Sequence, residues 1–321
     1  MRGWRVSFCL VACSIIWGCS GDSNSEESDG VIAQVSTSVP VSTIVPTSMA
    51  TSTIVETTTT LAPVYTCDPL PESDLVLNIE TDLDEAQIAP FLCGIHAAAA
   101  ELKVEDLELN LSMFEDMAAM KESMERLVPG LVFESSSAAN GYYGLIGTNV
   151  IFWNYPNTVR ERDEFAFVFR VGTHEFFHAV QSTYTSTGDL RGFATWLIEG
   201  SAEYFALMML EKYGFDEHLE RWTNFGKIFA LNYAVDPGSL RTWETPGPYG
   251  EGRAPFLNYP LVADIAKRLA DMTSDEAVLE TFWREKRPDE TWPVTFERVF
   301  GMPVEDFYAV IDEEFLAAGS S

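Results

Sequence analysis

The sequence His-Glu-Phe-Phe-His at residues 174–178 is the most informative part of this chain of 321 residues. The chain has only four histidines, and two of them, His174 and His178, stand four positions apart in this segment. Residues i and i+4 of an α-helix lie on the same face, one turn apart. If the segment is helical, both imidazole rings can bind a single metal ion, and Glu175 directly follows the first of them.

A second segment, Trp-Leu-Ile-Glu-Gly-Ser-Ala-Glu-Tyr-Phe-Ala at residues 196–206, contains two further carboxylates. The predicted helix is apolar on nearly all sides, which indicates that it is buried. Glu199 and Glu203 would then share one face in a medium where an unpaired carboxylate is costly. A metal ion could compensate for the charge of Glu199 by binding its carboxylate. Glu203 could accept a hydrogen bond from the second ring N–H of a histidine that binds the metal. The alternative is that both pair with arginines such as Arg170 or Arg191.

Together, the two segments resemble the gluzincin metallopeptidases, which include the thermolysin-like enzymes and the aminopeptidase-N family. The resemblance rests on His-Glu-x-x-His followed by Trp-Leu-x-Glu-Gly-x-Ala-x-Tyr, and it covers about residues 165–206. It implies that His174, His178 and Glu199 bind Zn²⁺ and that Glu175 is the general base that activates the attacking water. The expected activity is the hydrolysis of peptide bonds.

The same resemblance implies an α+β, zincin-like fold. We expect a mixed α/β N-terminal lobe, an active-site helix that carries the His-Glu-x-x-His segment, and a helical C-terminal lobe. In these families an edge strand precedes the active-site helix and pairs with the extended substrate, so residues 147–153 are a candidate for that strand. An interior position for this strand is the alternative.

The oxyanion of the reaction usually needs one more hydrogen-bond donor. In the aminopeptidase-N family, a tyrosine roughly sixty residues after the third metal ligand has this role, at the start of a helix. Tyr259 lies 60 residues after Glu199 and begins a predicted helix, so it is our candidate. Tyr249 and Tyr233 are rivals, and a packing role for Tyr259 is the other possibility.

Two departures from the families set limits on the expected activity. Twenty residues separate His178 from Glu199, which is slightly more than in either family. The chain also lacks the Gly-x-Met-Glu-Asn segment that binds the substrate amine in relatives of aminopeptidase N. Aminopeptidase activity is therefore not supported.

Hydrophobic periodicity and turn residues predict the remaining elements. The predicted strand is Tyr142 to Trp153, and Asp236 to Gly252 is predicted to be a loop. His96 is expected to pack on a helix and His218 to lie at the surface. The predicted helices are Asp82 to Glu101, Ser112 to Leu127, Glu161 to Thr183, Thr195 to Tyr213, Tyr259 to Met272, Asp275 to Lys286, Trp292 to Phe300 and Val304 to Ala317.

The N-terminal part predicts export. Residues 1–18 have the basic start and apolar core of a signal peptide, and Cys19 stands where bacterial lipoproteins are cleaved and acylated. An ordinary cleaved signal peptide is the alternative. Residues 19–66 are rich in Ser, Thr and Pro and predict a disordered tether, which leaves residues 67–321 for the metallopeptidase domain. Cys67 and Cys93 then form a pair in an exported chain, where a disulfide persists.

The formal net charge of −29 argues against nucleic-acid binding, which needs basic patches. The expected partners are a peptide or protein substrate and the membrane, through the lipid anchor. Two other functions stay open. The chain could be a zinc-binding relative without catalytic activity that binds peptides or surface partners, although the intact Glu175 weighs against this. It could also be a solute-binding or adhesive lipoprotein in which the histidine pair is coincidental.

Overall fold

The computed structural model describes residues 67, 71, 73–104, 107–129, 143–146, 149–154, 164–185, 188, 190, 192–222, 239–244 and 259–319. The signal peptide, Cys19, the tether, Arg191, Tyr233 and Tyr249 lie outside these residues.

One sheet of four strands lies in the N-terminal part of the described chain, in the order β1-β2-β4-β3. The strands are β1 (Val76–Thr81), β2 (Glu108–Phe114), β3 (Tyr143–Ile146) and β4 (Val150–Asn154). β1, β2 and β4 are parallel, and β3 pairs antiparallel with β4. The predicted strand Tyr142 to Trp153 is therefore two strands. β4 is interior, so of the two positions considered for the strand at residues 147–153, the interior alternative is the one observed and the edge position is wrong; β3 lies beside β4 at the edge of the described sheet.

The predicted helix Ser112 to Leu127 is wrong at its start, because its first residues belong to strand β2. Residues 108–114 are a strand, and helix α2 (Met117–Leu127) begins only after Asp116, whose carboxylate accepts the N–H groups of Ala118 and Ala119. An interior parallel strand is buried on both faces, so its apolar residues do not alternate with polar ones. Ser112 is itself fully buried and donates a hydrogen bond to Ser123 of α2.

Two helices carry the residues of the candidate site, α3 (Glu164–Tyr184) and α4 (Thr195–Lys212). α1 (Glu85–Leu102) packs against α3 with the two backbones almost in contact. A Cβ atom on Gly94 would lie 2.2 Å from the Phe169 carbonyl oxygen, and one on Gly172 would lie 2.4 Å from the Phe91 carbonyl oxygen. Only glycine permits this approach at both positions.

The rest of the described chain is helical. Residues 216–222 belong to helix α5, and the short helix α6 (Ser239–Thr242) lies inside the predicted loop. α7 (Tyr259–Met272) and α9 (Trp292–Phe300) have the predicted bounds. The predicted helix Asp275 to Lys286 contains a π-helical turn, Ala277–Thr281, followed by α8 (Phe282–Glu285), and the last helix is α10 (Val304–Gly319).

α7 packs against α4 at Gly200, where a Cβ atom would lie 2.5 Å from the Val262 carbonyl oxygen. The glycine of the Trp-Leu-x-Glu-Gly segment therefore lets α7 approach the helix that carries Glu199. One turn before Gly200, α4 also contacts α10, because the Trp196 indole donates a 2.9 Å hydrogen bond to the Tyr308 hydroxyl.

Cys67 and Cys93, expected to form a disulfide, are joined in the structure, with their Cα atoms 5.7 Å apart. The bond attaches the start of the described chain to α1. Among the described helices, none combines the length and the apolar character needed to cross a membrane.

Candidate metal centre

Three predicted ligands meet at one point between α3 and α4. Nε2 of His174 and Nε2 of His178 lie 3.0 Å apart, and each lies 3.3 Å from Oε2 of Glu199. The exposed fractions of the three residues are 2%, 5% and 0%. Within the described part of the chain, these are the His, Cys, Asp or Glu residues whose atoms cluster closely enough to hold a metal ion.

The size of this triangle fits a small tetrahedral ion. Zinc–nitrogen and zinc–oxygen bonds of about 2.0–2.1 Å place the ligand atoms of a regular tetrahedron about 3.3 Å apart. Two of the three observed separations have this value and the third is 0.3 Å shorter. Three protein ligands also leave one position of the tetrahedron for water or substrate, as in catalytic zinc sites.

The hydrogen bonds around His178 determine which of its nitrogens carries the proton. The amide nitrogen of Gln181 donates to the Ile198 carbonyl oxygen at 3.1 Å and to the Ser201 hydroxyl at 2.8 Å. The Gln181 amide oxygen therefore faces Nδ1 of His178, at 2.7 Å, and can only accept. His178 must be protonated on Nδ1, so its Nε2 lone pair points at His174 and Glu199.

His174 has a charged partner instead of a neutral one. Its Nδ1 lies 2.9 Å from Oε2 of Glu203, which supports the predicted orienting role of Glu203. Glu203 also accepts hydrogen bonds from Arg170 at 2.7 and 2.8 Å, so the predicted alternative of an arginine partner holds for this carboxylate at the same time. When Nδ1 carries the proton, Nε2 of His174 is a hydrogen-bond acceptor. It then faces two other acceptors, Nε2 of His178 and Oε2 of Glu199.

The convergence of these acceptors requires a positive charge between them, either a metal ion or a proton. Burial opposes a charge on His174, but the Glu199 and Glu203 carboxylates raise its pKa to about 10. Burial would raise the pKa of Glu199, but the neighbouring imidazoles hold that pKa well below its ordinary value. Without a metal, the centre therefore holds a proton on His174 at neutral pH.

Glu175 is completely buried, and its two oxygens have no hydrogen-bond partner among the described residues. Burial raises its pKa, because a charge is poorly solvated there. When ionised, Glu175, Glu199 and Glu203 carry three negative charges. Arg170 compensates for one of them, and a divalent cation would compensate for the other two.

Tyr259 is the first residue of α7, and its ring packs edge-on against the His174 ring, with 5.8 Å between the ring centres. The structure thus brings the predicted tyrosine beside the predicted ligands, through the close contact of α7 with α4 at Gly200.

The other two histidines lie outside the ligand cluster. His96 is half-buried on α1, where its Nδ1 lies 2.7 Å from the Ser73 hydroxyl. His218 of α5 is half-buried instead of lying at the surface as expected, and burial, together with Arg170, lowers its pKa to about 4.

The backbone of residues 243–244 fixes the start of α4. The N-cap residue is Ala194, whose methyl side chain cannot accept a hydrogen bond, but the carbonyl oxygens of Trp243 and Glu244 accept the N–H groups of Trp196 and Thr195 at 3.0 and 3.1 Å. These N–H groups would otherwise lack partners at the buried start of the helix. The contact holds the first turn of α4, one turn before Glu199.

Sequence reasoning missed Gln181 as a partner of His178. The available signal was its position one turn after His178 on the same helix face. The sequence also offered Arg170 only as an alternative to a metal, whereas the structure places it in the same hydrogen-bonded chain as a ligand.

A scan against protein-family models, a search of curated proteins and a search of solved structures each gave no match to this chain.

Proposed function

We propose that this protein is a zinc-dependent peptidase. The observation that carries the proposal is the convergence of His174, His178 and Glu199, with both histidines oriented through Nδ1. Glu175, whose carboxylate has no hydrogen-bond partner among the described residues, is next in sequence to the first of them. Two imidazoles and one carboxylate are the ligand set of catalytic zinc sites that hydrolyse peptides. Zinc would supply Lewis acidity and would lower the pKa of the water that it binds.

Glu175 would move the proton in this reaction. A buried carboxylate with a raised pKa is suited to accept a proton near neutral pH and to release it again. It would take the proton from the attacking water and pass it to the nitrogen of the leaving amine. Tyr259, whose ring lies against His174, would donate a hydrogen bond from its phenol to the oxyanion.

A zinc-binding protein without catalytic activity is the second candidate. The observation that favours it is the complete burial of Glu175 together with Glu199. In this case the ligands would stabilise the packing of α3 against α4 or support binding of a peptide, and Glu175 would have no proton to transfer.

The test is metal content together with hydrolysis by the purified protein. Zinc, iron, nickel and copper are measured by mass spectrometry, and hydrolysis is followed with fluorescently quenched casein. We expect one zinc per chain, activity that 1,10-phenanthroline removes, and a loss of about 10²- to 10⁴-fold for Glu175→Gln with zinc still bound. The matched control is Glu297→Gln, an exposed glutamate of α9.

Each outcome separates the candidates. Hydrolysis that survives both chelation and Glu175→Gln contradicts the mechanism. Full zinc occupancy without hydrolysis of any peptide in a random library favours the second candidate. Zinc retained at full occupancy in Glu199→Ala would remove Glu199 from the ligands.

We also propose that the chain acts outside the cytoplasm, attached to the membrane by lipid on Cys19, with a peptide or protein as substrate. The basis is the N-terminal sequence. Metabolic labelling with a palmitate analogue should mark the wild-type chain and leave Cys19→Ala unlabelled; equal labelling of both would contradict the anchor.

A further inference from the structure

Two rows of residues, one on each helix, interlock at the metal centre. On α3 the row is Arg170, His174 and His178, each one turn after the last, and on α4 it is Glu199 and Glu203, also one turn apart. The contacts alternate between the helices: His178 and His174 meet Glu199, then His174 and Arg170 meet Glu203. The row on α3 therefore extends one residue past the ligands and ends in a cation.

Arg170 holds Glu203 through a single nitrogen. Its Nη1 donates to Oε1 at 2.7 Å and to Oε2 at 2.8 Å, and Oε2 is also the atom that faces Nδ1 of His174. Both carboxylate oxygens are thus fixed, and the plane of the carboxylate has little freedom to rotate away from His174. Hydrogen bonds between charged groups are stronger than neutral ones, so this restraint is substantial.

Arg170 is a buried arginine, unlike most arginines, which lie at the protein surface. Only 2% of the residue is exposed, and the guanidinium lies 4.1 Å from the ring centre of Trp222 and 5.2 Å from that of Phe167. Aromatic faces of this kind favour a desolvated cation. Since Glu203 is fully buried as well, the pair interacts in a medium where screening by water is weak.

We propose that Arg170 is a positioning residue for the metal centre, acting on His174 through Glu203. Its Nη1 holds both oxygens of Glu203 and keeps Oε2 aimed at Nδ1, so that His174 donates from Nδ1 and presents the Nε2 lone pair to the metal. The inference rests on the metal centre proposed above. It extends that centre by one residue beyond the histidines and the carboxylate that orients them.

The experiment measures zinc affinity by competition with a chelator for the full-length protein, four single variants and one double variant. Arg170→Met and Glu203→Gln should each weaken zinc binding by about 10- to 100-fold, the usual effect of changes behind a ligand histidine. Arg170→Lys should bind nearly as well as the wild type, because one nitrogen makes both contacts with Glu203. Arg126→Met, which removes a half-exposed arginine paired with Glu80, is the control and should leave zinc affinity unchanged.

The decisive variant combines Arg170→Met with Glu203→Gln. If Arg170 acts through Glu203, the double variant should bind zinc within about threefold of Glu203→Gln alone, because coupled residues are not additive. This variant removes both charges of the Arg170–Glu203 pair and leaves neither without its partner, so it tests the proposal even if Arg170→Met alone does not fold. The absorption spectrum of bound Co²⁺ reports independently whether the geometry at His174 has changed.

The possible failures are distinguishable. If the wild type binds no zinc, the metal centre itself is wrong and the inference falls with it. If the wild type binds zinc and the losses of the two single variants multiply in the double variant, Arg170 does not act through Glu203. If Arg170→Met binds zinc as tightly as the wild type, Arg170 has no positioning role.

Discussion

At the scale of single residues, His174 determines how the centre responds to pH. Its pKa is raised to about 10, so below that pH the metal-free centre holds a proton that zinc must displace. We expect zinc binding at pH 7.5 to release about one proton, and zinc affinity to fall about tenfold for each unit of pH below about 10. Calorimetry in two buffers with different ionisation enthalpies measures the proton count; a count of zero would contradict the assignment.

Gln181 offers a second test at this scale. Gln181→Leu removes the acceptor of the His178 Nδ1 proton, and we expect zinc affinity to fall by about 10- to 100-fold because the ring loses its orientation. Competition with a chelator measures the change, and Thr183→Ala, at an exposed position two residues along α3, is the control. Unchanged affinity in Gln181→Leu would mean that packing alone holds the ring.

The sequence predicted which side chains share a helix face at the candidate metal centre, because spacing along one helix determines this. His174 with His178 and Glu199 with Glu203 are both pairs four residues apart, and helical geometry places each pair on one face. The partners across helices could not be predicted in this way. That Arg170 meets Glu203, and that Gln181 reaches the Ile198 carbonyl oxygen, depends on how far α4 is shifted along α3.

At the scale of elements, the contact of α4 with α7 connects the ligands to Tyr259. In Gly200→Ala the new methyl group would lie 2.5 Å from the Val262 carbonyl oxygen, so the helices must separate. We expect a loss of about 1–3 kcal/mol in the free energy of unfolding. We also expect kcat to fall more than zinc affinity, because Tyr259 moves with α7 whereas the ligands lie on α3 and α4.

The control for Gly200→Ala is Gly301→Ala. Gly301 ends α9 with a φ of +73°, and the space where a Cβ atom would lie is open, so alanine there strains the backbone without pushing helices apart. Urea unfolding and steady-state kinetics are measured for both variants. If both lose stability and both keep the wild-type kcat, α7 does not position Tyr259.

The elements that the sequence predicted well are those with a strong amphipathic pattern. α7 and α9 have the predicted bounds because one face of each is buried and the other is exposed. β1 was not predicted, and β2 was partly assigned to a helix, because pairing between β1 and β2 joins residues 32 positions apart, such as Asn78 with Asn110. Such pairing leaves little local signal in either segment.

At the scale of the whole molecule, the metal should contribute to stability as well as to chemistry. Removal of zinc leaves Glu199 facing two imidazoles at the contact between α3 and α4, in the interior of the protein. A ligand at one hundred times its dissociation constant stabilises the native state by about 2.7 kcal/mol. We therefore expect a chelator to lower the Tm, and zinc to restore it.

The pKa of His174 determines how the stabilisation by zinc changes with pH. A pKa raised from 6.5 to about 10 stabilises the metal-free fold fully below pH 6.5, and this contribution is lost as the pH rises through about 10. Zinc affinity rises over the same range. The difference in Tm between zinc-loaded and chelated protein should thus widen from pH 6.5 to pH 9.5, which calorimetric scans in matched buffers can measure. In Glu199→Gln the difference should be small at both values; a large difference there would show that zinc stabilises the protein at another site.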